Sequence, residues 1–152
     1  LKIDDLDRKI LRELLMDGRQ SFRDIMKKSG CSVATIASRI RRMEREGVIN
    51  GYAAIVDHEK LGYEITSITE VTVSKGRLLE VQEEIAKMPN VCAVYDVTGS
   101  EDSVVISKFK NRAELSNFTK ALLALPYVER TNTHVVLNTC KEDFRLPLSF
   151  KE

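Results

Sequence analysis

Cysteine, histidine and long apolar runs are all scarce in this sequence. The cysteines are Cys31, Cys92 and Cys140, an odd number at long spacings with no C-x-x-C pair. A disulfide framework or a zinc site is therefore not expected, and the thiols read as small buried side chains of a reducing cytoplasm. His58 and His134 have no metal-ligand spacing to each other or to a cysteine. No apolar run reaches the roughly eighteen residues of a membrane-spanning helix. No charged stretch leads into an apolar one at the start, so no secretory signal is expected and the chain is placed in the cytoplasm. The chain opens on Leu1, so a start methionine is expected before it. There is no nucleophile–base pair, metal cluster or glycine-rich phosphate loop. An enzyme is therefore not expected, and no cofactor or metal is assigned.

What is present is 152 residues, 43% hydrophobic and 31% charged, the profile of one ordinary globular domain or two small ones. Charge is uneven along the chain. Residues 1–50 hold 12 Lys/Arg against 8 Asp/Glu, a balance of +4, and residues 51–152 hold 12 against 15, a balance of −3. A basic front part joined to an acidic remainder suggests two modules with different partners.

The front part fits three helices. Leu6, Ile10, Leu11, Leu14 and Leu15 recur at helical spacing, with Asp4 or Asp5 as cap and Gly18 as stop. Ser21-Phe22-Arg23-Asp24 fits a capping box for a second helix, whose apolar side is Phe22, Ile25 and Met26. Ser29-Gly30-Cys31 breaks it, and Ser32 caps a third helix that ends at Gly47. Two helices joined by a tight glycine turn make a helix-turn-helix. In the third helix Val33, Ile36, Ile40 and Met43 form the buried side. Ala34, Thr35, Ser38, Arg41, Arg42 and Arg45 face outward, with Arg39 on the flank. A merely solvated helix mixes charge signs, yet residues 32–43 hold no acid. Small polar groups beside arginines suit base edges and phosphates in a major groove. Ser32, Thr35, Ser38, Arg39, Arg41, Arg42 and Arg45 are therefore the expected DNA contacts. After Gly47, the residues Val48, Ile49, Tyr52, Ala54 and Val56 read as strand around an Asn50-Gly51 turn, either a wing or a connector.

The rear part repeats itself. Leu78, Val81, Ile85, Met88, Pro89 and Val91 recur, 37 residues on, as Leu115, Phe118, Leu122, Leu125, Pro126 and Val128. Each copy is an amphipathic helix stopped by proline and followed by a strand. Strand-like runs occupy 65–73, 91–98, 103–109 and 128–139. The order β-α-β-β-α-β predicts a ferredoxin-like antiparallel sheet with both helices on one face. The uncovered face calls for a partner, and a homodimer at least is expected. Thr98-Gly99-Ser100-Glu101-Asp102 falls at the central hairpin. It reads either as a simple polar turn or as a ligand-contacting edge near Thr131 and Thr133 of the last strand. The alternation Phe144, Leu146, Leu148 and Phe150 suggests a tail that packs on a neighbouring chain.

Several stretches together resemble the Lrp/AsnC, or feast/famine, family of transcription regulators. They are Ile3-Asp4-Asp5-Leu6-Asp7-Arg8-Lys9-Ile10-Leu11, Arg39-Ile40-Arg41-Arg42-Met43-Glu44-Arg45-Glu46-Gly47-Val48-Ile49, Lys60-Leu61-Gly62, Val94-Tyr95-Asp96-Val97-Thr98-Gly99 and Val128-Glu129-Arg130-Thr131-Asn132-Thr133. The resemblance implies a helix-turn-helix, winged-helix-like DNA-binding domain over 1–50 and a connecting strand and linker over 51–62. Over 63–152 it implies a ferredoxin-like effector-binding and oligomerisation domain. Dimers assembling to tetramers or octamers are implied, with double-stranded DNA and an amino-acid effector as partners. Carried over, the effector contacts are Gly99, Ser100, Glu101, Asp102, Thr131 and Thr133. Where the family commonly has Gly-Asp-Tyr-Asp, this chain has Gly99-Ser100-Glu101-Asp102: either Glu101 repels an acidic ligand and favours a basic or neutral one, or the pocket is altered or empty. The expected function is a sequence-specific DNA-binding regulator; the alternative is an architectural protein that coats DNA without a small-molecule response.

Overall fold

Three helices open the chain, and each start has a side-chain cap. In α1 (Asp5–Met16), Asp4 and Asp7 make a reciprocal capping box. In α2 (Phe22–Ser29), Ser21 accepts the Asp24 N–H at 3.2 Å and donates to its carboxylate at 2.6 Å. In α3 (Val33–Arg45), Ser32 accepts the Thr35 N–H at 3.1 Å. Gly30 closes α2 in the left-handed region at φ 73°, which a residue with a Cβ adopts only with strain, so the turn into α3 is short and sharp. Ile10, Ile25, Ile36, Ile40 and Met43 are buried where the three helices meet. Phe22, expected on the apolar side of α2, is instead exposed at its first position.

The computed structural model describes residues 2–146 and residue 148. The chain divides into two compact units. One takes in residues up to Val56 and again from Glu142 on; the other is Asp57–Lys141. The tail thus belongs with the helical unit and not with the rear domain. Leu146 and Leu148 line a hollow of about 240 Å³ with Leu11, Leu14, Leu15, Val48, Ile49 and Tyr52, so this chain's own first helix receives them. Phe150 lies outside the described residues. Residues 48–56 form no strand. A strand needs a partner, and the Val48 and Ile49 N–H groups are taken by the Met43 carbonyl at the end of α3.

The second unit runs β1 (Ile65–Val73), α4 (Leu78–Ala86), β2 (Val91–Asp96), β3 (Ser103–Phe109), α5 (Arg112–Ala124), β4 (Val128–Val135). The sheet is antiparallel in the order β2-β3-β1-β4, the ferredoxin-like arrangement. The 37-residue repeat packs as one motif used twice. Val81 and Ile85 of α4, and Phe118 and Leu122 of α5, are buried against Val71, Val73, Val105 and Phe109. Phe109 and Phe118 meet with ring centroids 5.1 Å apart. Strand alternation puts Ile68, Glu70 and Thr72 of β1 on the opposite face, with Val104 and Ile106 of β3, Tyr95 of β2, and Asn132 and His134 of β4. On this uncovered face Ile68 and Tyr95 are exposed.

The thiols are free: Cys31 is half-buried, while Cys92 and Cys140 are exposed rather than buried as expected. Among the described residues, no helix is long and apolar enough to cross a membrane.

Candidate functional site

The outward side of α3 is narrower than its helical spacing alone suggests. Ser32, Ala34, Ser38, Arg41 and Arg45 are exposed, and Thr35 is half-buried. Ala34, Ser38, Arg41 and Arg45 follow one another at steps of four, three and four, a single stripe along the helix. Ser32 and Thr35 hydroxyls bond each other at 2.9 Å at the helix start.

Arg39 and Arg42 are not in that stripe. Arg42 Nη2 donates to Asp7 Oδ2 at 2.5 Å, and Arg39 Nη1 donates to Asp4 Oδ2 at 2.5 Å and lies 3.3 Å from Asp7 Oδ1. Asp7 is fully buried and the two arginine side chains are 29% and 30% exposed. Both, expected as DNA contacts, are drawn across to the start of α1. The wheel placed Arg42 outward because it counts angles on one helix and cannot see the acids of another. The Asp7 N–H and the Arg39 guanidinium together hold the Asp4 carboxyl down at about 2. Sequence reasoning offered Asp4 as a cap, gave Asp7 no role, and missed the pairing of both with the arginines of α3.

The hairpin between β2 and β3 is held from both sides. Gly99 has φ 131°, and it and Ser100 are exposed. The Asp102 carboxylate accepts the Val73 N–H at 2.8 Å, and its own N–H donates to the Val71 carbonyl at 3.1 Å. Glu101 accepts from the Thr72 hydroxyl and pairs with Arg130 at 2.8 Å. Both acids are thus engaged inside the chain. The six expected contacts are also not all brought together. Thr72 and Arg130 are register partners on the uncovered face, so Glu101 lies there. Thr131 and Thr133, one residue out of phase, point to the helix-covered face, where Thr133 bonds Thr69 at 3.1 Å. Thr72 and Arg130, missed from sequence, both meet Glu101 of the hairpin. A second polar group sits nearby on the uncovered face: Glu70 accepts from Asn132 at 2.9 Å and lies 3.3 Å from His134 Nε2. Asn132, and after it His134, hold the Glu70 carboxyl below its usual range.

Comparison with known proteins also gives a front and a rear part. Residues 3–50 match the family model of winged helix-turn-helix DNA-binding domains, and residues 66–146 match that of the Lrp/AsnC ligand binding domain. An uncharacterised HTH-type transcriptional regulator of Pyrococcus furiosus is 47% identical over 146 residues, covering 96% of this chain and 99% of its own. Two solved structures share the fold. The feast or famine regulatory protein of M. tuberculosis complexed with L-methionine has TM-score 0.84 at 28% identity, covering 95% of this chain and 99% of that one. A transcriptional regulator of Neisseria meningitidis in complex with L-Met has TM-score 0.88 at 25% identity, covering 97% of each.

Proposed function

The chain belongs to the Lrp/AsnC family of helix-turn-helix transcription regulators, which bind DNA and are not enzymes, and from that premise we propose how it reads DNA and responds to a small molecule. It is a sequence-specific regulator whose α3 enters the major groove. Arg41 and Arg45 supply phosphate and guanine contacts, while Ser32, Thr35 and Ser38 meet base edges or backbone at the helix start. The observation that carries this reading is the exposed stripe of α3, which holds two arginines and no acid. Copies associate through the uncovered face of the sheet, where Ile68 and Tyr95 are exposed. Association sets two reading helices about 34 Å apart, one DNA turn.

The effector is an amino acid at the Gly99–Asp102 hairpin, the ligand class seen in the two structural relatives. Glu101 faces one side of the sheet, while Thr131 and Thr133 face the other. A ligand that uses all of these positions needs the surface of a second copy to complete its site. It acts through its difference in affinity between assembly states, which changes the operator spacings that can be bound at once.

The test is selection of bound sites from random duplex DNA at stated salt, with and without a pool of amino acids. A recovered palindrome that shifts with amino acids supports the whole reading. A palindrome indifferent to them removes the effector. No enriched motif, with a steep salt dependence, makes the protein an architectural DNA coat instead.

A further inference from the structure

We infer that Asp7 is a positioning residue for DNA reading: it draws Arg39 and Arg42 against α1, holds their side chains off the exposed face of α3 and so leaves Ala34, Ser38, Arg41 and Arg45 as the stripe that meets the duplex. The inference rests on α3 being the DNA-reading helix.

A carboxylate with no exposed surface persists only where donors surround it. Asp7 has three: the Asp4 N–H at 3.1 Å, Arg42 Nη2 at 2.5 Å and Arg39 Nη1 at 3.3 Å. Arg42 is committed to that side. Its Nε is enclosed and has no hydrogen-bond partner, so the guanidinium is turned into the protein and not held ready for a phosphate. Arg39 is divided between Asp4 and Asp7.

Such a pair adds little net stability over an apolar pair of similar volume, because desolvation offsets most of the Coulomb attraction. What it adds is direction. Ile36, Ile40 and Met43 are buried and already set which side of α3 faces inward. The long arginine side chains flanking that side are not fixed by it. Neighbouring residues on a helix are separated by about 100°. Arg41 and Arg42 are neighbours, as are Ser38 and Arg39, so an unpaired Arg39 or Arg42 side chain is within reach of the stripe. Asp7 therefore holds two arginine side chains out of it.

The experiment measures affinity of the full chain for a duplex recovered by selection and for a scrambled duplex, across a salt series, with melting curves to establish folding. Three variants are compared: Asp7→Asn, the double variant D7L/R42M that replaces the ion pair with an apolar pair, and Arg41→Ala. D7L/R42M is expected to keep the wild-type salt slope, because Arg42 meets no phosphate. Arg41→Ala is expected to lose about 0.9 of slope, one phosphate contact. Asp7→Asn, which releases Arg42 and leaves Arg39 with Asp4 alone, is expected to lose about tenfold in preference for the selected over the scrambled duplex while still folded. A D7L/R42M slope reduced by about 0.9, or a folded Asp7→Asn with wild-type preference, overturns the inference. If Asp7→Asn does not fold, the slope of the double variant decides. A wild-type chain that binds no duplex removes the DNA reading and this inference with it; a wild-type chain that binds, with the double variant short of one contact, removes the inference alone.

Discussion

Ser67 and Ser107 stand opposite each other on β1 and β3, both fully buried, and neither hydroxyl has a hydrogen-bond partner. A buried hydroxyl without a partner costs about 1–3 kcal/mol, and alanine removes the group with almost no change in volume. Ser67→Ala and Ser107→Ala are each expected to raise the unfolding free energy by about 1 kcal/mol. Thr69→Val, which breaks the bond to Thr133, is expected to lower it by a similar amount. Urea titration compares them; a loss in both serine variants would show that the hydroxyls are bonded after all.

Asp102 holds the hairpin to the end of β1 through the Val73 N–H. Asp102→Ala leaves that N–H without its acceptor, and hydrogen bonds to a charged group contribute about 1.5–3 kcal/mol. A loss of that size is expected whether or not amino acids are present. Ser100→Ala should leave stability unchanged, since the residue is exposed at the turn. A neutral Asp102→Ala in thermal melts would contradict the anchoring role.

The Asp4 carboxyl, held at about 2 against an ordinary 3.8, has a defined pH signature. A lowered folded value means that the contribution is fully present above the ordinary value and is lost as pH falls through the folded one. Asp4→Asn keeps a helix cap but does not titrate. The gap in Tm between wild type and Asp4→Asn should be constant above about pH 5 and close as pH falls toward about 2. A gap that widens on acidification would refute it.

Ile85 and Leu122 occupy equivalent places in the two halves of the repeat, and both are fully buried. Each alanine variant should lose about 2–5 kcal/mol, and the two losses should be alike within the scatter of such sites. Calorimetry of both would show whether the halves share the core equally; a cost confined to one half would mean that they do not.

Arg45 is exposed in the α3 stripe, in the last turn of the helix between Glu44 and Glu46. Arg45→Ala should weaken binding to all duplexes and lower the salt slope by about 0.9 if it meets phosphate. If it reads a base, preference at one position should fall by about 1–3 kcal/mol. Binding isotherms on matched and mismatched duplexes separate the two; an unchanged affinity would remove Arg45 from the interface.

The strands were legible because each has a period of two and each helix of the rear unit is stopped by a proline. β1 and β3 begin and end where the alternation does, at Ile65–Val73 and Ser103–Phe109. The repeat was legible because the two halves meet one sheet in the same way. Partners far along the chain were not. Asp7 and Arg42 are 35 residues apart, and Glu101 and Arg130 are 29 apart, so no local pattern joins them. The stretch 48–56, open from sequence as a wing or a connector, forms no strand for a related reason: its residues have strand character, but among the described residues nothing pairs with them. Composition also says nothing about which cysteine ends at a surface, hence the exposed Cys92 and Cys140.

Leu146 and Leu148 come about 130 residues after Leu14, yet share its hollow. In synthesis order the rear unit is an insertion within the helical one. A nascent chain offers Leu11, Leu14 and Leu15 to the ribosome exit and to chaperones long before the leucines that cover them have been made. The helical unit is thus started first and finished last, and a premature stop after Lys141 would release a chain with an intact sheet and a bare leucine flank on its first helix.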